Sequence, residues 1–372
     1  MSTNGETANS NHENKEIRKI KSSRILLPVF IGLVVVGYLF YREYDPNAFA
    51  QLHFTWKSAF WIFVAFLCIF GRDIGYIIRI RILSEGELSW RKAFRIIMLW
   101  EFTSAITPSA VGGTSLAVIY VNKEGVSVGK SSAIVMFTSL LDEIYFVVMF
   151  PILIWVTGLD ALFNIPGSPG ISTSIFTLCI IGYSIKLVWV LLLGYGLLFN
   201  PRGLSNIIQW IFKLPFLRRW KDGAAKAGND IVVSSGEMKT KGWKFWSKAF
   251  LSTFLSWTSR YWIVNALLMA FFANEIAGHH FMIFARQLVL WVTLLITPTP
   301  GGSGVAEVMF SQYLGEFIPI AGLAIAFAFL WRLVSYYPYL IIGAFMVPKW
   351  VQDKFGGKKK QNNTTEEEQK ID

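Results

Sequence analysis

Nine ionisable side chains fall inside long apolar runs of the chain: Arg72, Asp73, Glu101, Asp142, Glu143, Arg260, Arg286, Glu307 and Arg332. A charge in such a place is expensive unless it is paired or serves a ligand or ion pathway. An arginine fork matches the oxygens of a phosphate, so Arg72, Arg260 and Arg332 are expected to contact a phosphate-bearing group. Glu101 and Glu307 have three roles open to them: balancing those arginines, taking a substrate amine, or carrying a coupling proton. The competing reading for every one of these residues is an ion pair that holds helices together. Lys186 and the Arg79/Arg81 pair stand near span ends, where snorkelling accounts for them.

Two breaks in the apolar pattern are the second source of chemistry. "TPSAVGGTS" (Thr107–Ser115) and "TPTPGGSG" (Thr297–Gly304) place prolines and glycines where a membrane helix would run. Proline ends a helix by removing an N–H and clashing one turn back, and glycine permits a tight reversal. Thr114/Ser115 and Ser303 are residue types that cap a helix start. Each break is therefore expected to present a helix N-terminus, partly positive, inside the membrane, where it suits an anion such as phosphate. The alternative is a kink used only for packing. "GGSG" lacks the lysine and strand context of a nucleotide-binding loop, so ATP is not expected. The substrate-binding set so read is Arg72, Glu101, Thr107, Pro108, Gly112, Gly113, Arg260, Arg286, Thr297, Pro298, Pro300, Gly301, Gly302, Ser303, Gly304, Glu307 and Arg332, with no metal and no cofactor.

The elements that must position these residues are membrane spans. Of 372 residues, 53% are hydrophobic, 16% aromatic and 16% charged, against about a quarter charged in soluble domains. Apolar runs long enough to cross about 30 Å of hydrocarbon recur along the chain. Spans are expected at about 25–41, 58–78, 131–156, 172–198, 249–272 and 319–347. Short arms at about 93–106 and 113–121, and at 281–296 and 303–313, flank the two breaks and read as re-entrant hairpins.

Lys and Arg near span ends set orientation. The tail 1–24 carries five basic residues in 15–24, and residues 200–248 carry ten Lys/Arg against three acids; both are expected in the cytoplasm, as is the polar tail 350–372. Of the four loops then left outside, three contain no Lys or Arg. The stretch "LSNIIQWIFKLPFLRRW" reads either as a helix lying flat on the inner leaflet or as an ordinary basic connector. The net charge of +11 follows the same loop bias and lipid attraction, and nucleic-acid binding is set aside.

The two breaks align. "RIIMLWEFTSAITPSAVGGTSLA" (Arg95–Ala117) is similar to "RQLVLWVTLLITPTPGGSGVA" (Arg286–Ala306), with Arg95/Trp100 against Arg286/Trp291 and Thr107–Pro108 against Thr297–Pro298. Arg72 corresponds to Arg260, and Asp142 falls opposite Arg332. The expected fold is an all-α polytopic membrane protein in one transmembrane domain, 25–349. Two repeats, about 58–156 and 249–347, have opposite orientation by the charge argument, as in alternating-access transporters. Cys68 and Cys179 have no metal or redox spacing and read as core residues. The adjacent His279 and His280 are not a zinc pattern and read as an interfacial loop.

"TPTPGGSGVAE", followed by "LWRLVSYYPYLIIGAF", resembles the membrane part of the lysylphosphatidylglycerol synthase/flippase proteins, including stand-alone members without a synthase domain. Pro300–Glu307 and the pair Trp331 and Arg332 carry the likeness, and "TPSAVGG" and "LLDEIYF" (Leu140–Phe146) fit more loosely. The resemblance implies lipid translocation in the bacterial cytoplasmic membrane, and without the synthase domain lysyl transfer is not expected; the charge argument puts both termini inside. Membrane lipids are the expected partners, as an anionic or zwitterionic phospholipid or a polyprenyl phosphate, and a homodimer is left open. The rival functions are an ion-coupled transporter of a small solute and a membrane-embedded transferase acting on lipid-linked substrates.

Overall fold

The computed structural model describes residues 50–107, 110–165, 169–211, 213, 221–294, 304–320 and 322–355, together with 41 and 46. Among them the chain is helical throughout: α1 (Trp56–Leu83), α2 (Trp90–Ile106), α3 (Ala110–Lys123), α4 (Val128–Thr157), α5 (Leu159–Phe163), α6 (Pro169–Leu198), α7 (Pro201–Ile211), α8 (Lys221–Lys239), α9 (Trp243–Phe272), α10 (His280–Leu294), α11 (Val305–Leu314), α12 (Ala324–Ser335) and α13 (Tyr337–Phe355). The expected first span at 25–41 lies, apart from Tyr41, outside the described residues. α1, α4, α6 and the α12–α13 stretch to Lys354 are long and apolar enough to cross a membrane. α9 has 30 residues, about 45 Å of helix. The protein is an all-α, multi-pass membrane protein.

Caps set several starts. Thr55 and Ser58 form a reciprocal capping box at α1, and Ser89 and Ser127 cap α2 and α4 through their hydroxyls. The arms flanking the breaks are short: 17 residues in α2, 14 in α3, 15 in α10 and 10 in α11. At 1.5 Å per residue none exceeds about 25 Å, less than the hydrocarbon thickness. The order of a long helix, two short ones and a further span occurs twice, over α1–α4 and α9–α13.

α1 and α9, the first helix of each set, run along one another. A Cβ on Gly75 would stand 2.2 Å from Ser256 Oγ and 2.7 Å from the Ser252 carbonyl, and one on Gly71 would stand 3.1 Å from Ser259 Oγ. This is close backbone approach through small residues, a glycine pair four apart facing serines at helical spacing. Ser256 Oγ donates to the Arg72 carbonyl at 3.0 Å. The contact places Arg72 and Arg260, each next to one of these small residues, at one seam.

Three expectations change here. The last span is two helices, broken at Tyr336 (φ −128, ψ −54), two residues ahead of Pro338, which has no N–H to continue the hydrogen bonding of the turn before it. Residues 200–248 contain two helices: α7, which leaves Ile207 and Trp210 exposed, and α8, which packs on α4. His280 opens α10, and its Nδ1 meets Asn265 Oδ1 at 3.2 Å.

Candidate functional site

α1, α2, α3 (through Thr114), α4, α6, α9, α10, α12 and α13 surround a cavity of about 290 Å³. Its apolar wall is aromatic, with the indoles of Trp100, Trp257, Trp291 and Trp331, and its charged wall holds Arg79, Glu101, Asp142, Glu143, Lys186, Arg260 and Arg332. Four cationic side chains face three carboxylates, a surplus of one positive charge on the lining.

The charges pair across helices. Arg79 of α1 forms a fork with both Asp142 oxygens on α4 and donates to Thr253 Oγ1 of α9 at 3.1 Å. The Trp257 indole N–H donates to Asp142 Oδ1 at 2.6 Å. Lys186 of α6 donates to Glu143 Oε2 of α4 at 2.5 Å. Arg72, only 1% exposed, pairs with Glu101 of α2 and lies 3.4 Å from Asp73, and its guanidinium covers the ring of Tyr339 at 4.7 Å. The Tyr339 hydroxyl donates to Asp73 Oδ1 at 2.7 Å. Arg332 Nε donates to Glu307 Oε1 at 2.9 Å, both residues being buried.

Arg260 differs. Among the described residues no carboxylate lies within ion-pair distance of it. Its guanidinium instead sits over the Trp291 ring at 4.5 Å and the Trp257 ring at 5.3 Å. Two indoles orient the fork without neutralising it, so the surplus positive charge of the lining resides there.

The sequence-derived set is thereby sorted. Glu101, Thr107, Arg260 and Arg332 line the cavity. Arg72 does not; it stands behind Glu101 as its counter-ion. Arg286 is elsewhere: it donates to the carbonyls of Tyr313, Asn164 and Ala161 at 2.8, 3.2 and 3.3 Å and pairs with Glu316 at 2.9 Å, clamping the ends of α5 and α11. Pro108, Thr297, Pro298, Pro300, Gly301, Gly302 and Ser303 lie outside the described residues.

The helix N-termini also differ from expectation. α3 begins at Ala110, so Gly112, Gly113, Thr114 and Ser115 are inside the helix and none of them caps it. Gly113 serves close packing, since a Cβ there would meet Ser104 Oγ at 2.0 Å. At α11, Gly304 adopts φ +84 and its N–H donates to Glu307 Oε2 at 2.7 Å. One oxygen of Glu307 thus takes the Gly304 N–H at the helix end where the reading of "GGSG" places phosphate. A glutamate at the third helical position folds back onto the cap amide in this way, and Arg332 neutralises it.

Arg79 and Lys186 are the residues that sequence reasoning misplaced. Both are buried, ion-paired and on the cavity wall. Lys186 was legible as such: it stands mid-way along a helix of 30 residues, too far from either end to snorkel. Arg81, by contrast, is at the helix end, donating to the Leu88 carbonyl at 3.0 Å and covering Trp90.

A "UPF0104 membrane protein" of Archaeoglobus fulgidus is 25% identical to this chain over 338 residues, covering 87% of the chain and 95% of that relative. No solved structure matches. The family described as the lysylphosphatidylglycerol synthase TM region matches residues 25–343. With most of its length matched, and with the helical, charge-lined membrane domain described above, the chain belongs to the lysylphosphatidylglycerol synthase TM region family.

Proposed function

We propose that this protein is a lipid translocase of the bacterial cytoplasmic membrane, which takes the phosphate-bearing headgroup of a phospholipid or polyprenyl phosphate into the cavity and carries it across the bilayer. The observation that carries this reading is Arg260, a guanidinium on the cavity wall, oriented by two indoles and matched, among the described residues, by no carboxylate at ion-pair distance. An arginine fork held by two indoles is suited to phosphate oxygens. At about 290 Å³ the cavity is at the lower end of small-ligand sites, about 300–1,000 Å³. It admits a headgroup while the acyl chains stay in the bilayer. The two helix–hairpin–helix sets support an alternating-access movement about the cavity, with the halves inverted as the loop charges require.

The test is flipping of fluorescent phosphatidylglycerol in proteoliposomes. Arg260→Ala is expected to lower the rate at least tenfold while the variant elutes and unfolds as the wild type does. Wild-type flipping by Arg260→Ala would reject this site. The same cavity volume also suits a free phosphate ester, the rival small-solute reading. Uptake of glycerol phosphate by proteoliposomes that fail to flip lipid would favour that reading.

A further inference from the structure

We propose that Asp73, Arg72 and Glu101 form a proton-binding site that loads one proton when an anion occupies Arg260, so that a monoanionic phosphate ester and a proton cross together. The proposal rests on the reading of the cavity as an anion site and adds its coupling ion.

The argument is one of charge. Asp142, Glu143 and Glu307 each have a cation of their own in Arg79, Lys186 and Arg332. Arg72 alone is shared, between Glu101 and Asp73. A guanidinium does not deprotonate in a protein, so with both carboxylates ionised this triad carries one negative charge in excess. The groups facing Asp73 are Arg72 from its own helix, which also covers the Tyr76 ring at 5.2 Å, Glu101 from α2 across Arg72, the Tyr339 hydroxyl from α13, and Arg260 from α9 on the cavity side. Of these, only Arg260 has positive charge not already committed to a carboxylate.

The network of five cations and five carboxylates is therefore balanced while the cavity is empty, with Arg260 offsetting the excess of the triad. An anion on Arg260 cancels that offset. The excess then sits uncompensated at membrane depth, where unpaired charge is most costly. One proton on a carboxylate removes it. The proton comes from cavity water through Glu101, which lines the cavity and is 21% exposed, and resides on Glu101 or Asp73. Charge balances: one anion and one proton enter, and the loaded state is neutral as the empty one was.

The test uses the full-length protein in nanodiscs and short-chain dihexanoyl phosphatidylglycerol as the probe. Titration calorimetry in buffers of different ionisation enthalpy counts protons per probe bound. The wild type is expected to take up about one proton, with affinity tightening about tenfold per pH unit lowered across the linked range. Asp73→Asn keeps an acceptor for Tyr339, and it is expected to bind the probe with no proton uptake and no pH dependence. If that variant does not fold, Glu101→Gln is expected to lose the uptake likewise.

Binding without proton uptake in the wild type overturns the coupling and leaves the anion site standing. Full uptake in Asp73→Asn and Glu101→Gln overturns the assignment to the triad. Should the wild type bind no probe, the anion reading fails, and the proton site is judged by infrared titration of the lipid-reconstituted protein from about pH 5 to about pH 8. A protonated-carboxyl band that titrates in the wild type and is missing in Asp73→Asn supports the site. The absence of such a band, or its persistence in the variant, overturns it.

Discussion

Glu307 does two things at once, and removing it separates them. One oxygen accepts the Gly304 N–H at 2.7 Å and the other accepts Arg332 Nε at 2.9 Å, with both side chains buried. Breaking a buried pair by deleting one partner costs about 3–5 kcal/mol, because the other charge is left uncompensated. Glu307→Gln keeps an oxygen for the Gly304 amide and loses only the charge, so it is expected near the lower figure, about 3 kcal/mol. Glu307→Ala also orphans the amide and is expected near about 5 kcal/mol. Arg332→Met leaves a carboxylate that still rests on the positive end of α11, which offsets up to about 1–2 kcal/mol; about 2–3 kcal/mol is then expected. The double variant Glu307→Gln/Arg332→Met removes both charges and is expected to recover about 1–3 kcal/mol relative to additivity.

Reversible unfolding of the purified variants in mixed micelles measures all four values. Single losses below about 1 kcal/mol, or a strictly additive double variant, would show that the pair is solvated and refute the reasoning. For the same reason, loss of transport in Arg332→Ala or Glu307→Ala reports on folding first. Arg260, which has no carboxylate at ion-pair distance among the described residues, is the cleaner probe of function.

The helix seam gives a second prediction. Gly75→Ala puts a Cβ 2.2 Å from Ser256 Oγ and 2.7 Å from a backbone carbonyl, and is expected to destabilise by about 1–3 kcal/mol. Gly236→Ala, in a helix with nothing within 4 Å, is expected to be neutral or to stabilise by up to about 1 kcal/mol; thermal unfolding compares the two. The lining charge gives a third. Lys186→Met removes one cation from the wall and Glu143→Gln one carboxylate, so the affinity for a phosphate probe should fall in the first and rise in the second. At an effective dielectric near 20 and about 10 Å, each change is worth about 1–2 kcal/mol, about tenfold in calorimetric affinity. Equal affinities would mean that the wall charge does not reach the ligand.

A fourth prediction concerns pH outside the spans. Lys241, hydrogen-bonded to Glu85, holds the Glu85 carboxyl below its usual 4.5. The stabilisation is present above that value and is lost as pH falls through the lowered folded-state value. Glu85 is 36% exposed, so solvent screening leaves under about 0.5 kcal/mol, visible as a slightly shallower acid limb of unfolding in Lys241→Met.

Much of the architecture was readable from the chain because the bilayer demands it. Apolar length dictates spans, and α1, α4, α6 and α9 appear where the hydropathy places them, extended by a turn or so at their ends. The breaks at Thr107 and Gly304 were readable because proline and glycine have few other uses there; the prolines and glycines at 298–302 lie outside the described residues. The division of the last span at Tyr336 was not read, although Pro338 was in view: a proline that only offsets a helix and one that splits it have the same sequence. The small-residue seam of Gly71 and Gly75 against Ser252, Ser256 and Ser259 was present in the spacing, but a close approach needs two partners and each strand of the pattern names only itself.

Residue types and their depth, then, are matters that the sequence determines alone: buried arginines, lysine and carboxylates in a helical membrane domain, hence a site with charge in it. Which cation meets which carboxylate was decided only by the tertiary structure. Pairing depends on helix rotation and crossing, and a turn of about 100° per residue moves a side chain from cavity to lipid. That is why Lys186 and Arg79 proved to be wall residues, why Arg286 became a clamp, and why Glu307 meets the Gly304 amide and Arg332. It is also why Arg260, indistinguishable by sequence from its neighbours, is the arginine on the cavity wall with no carboxylate beside it among the described residues.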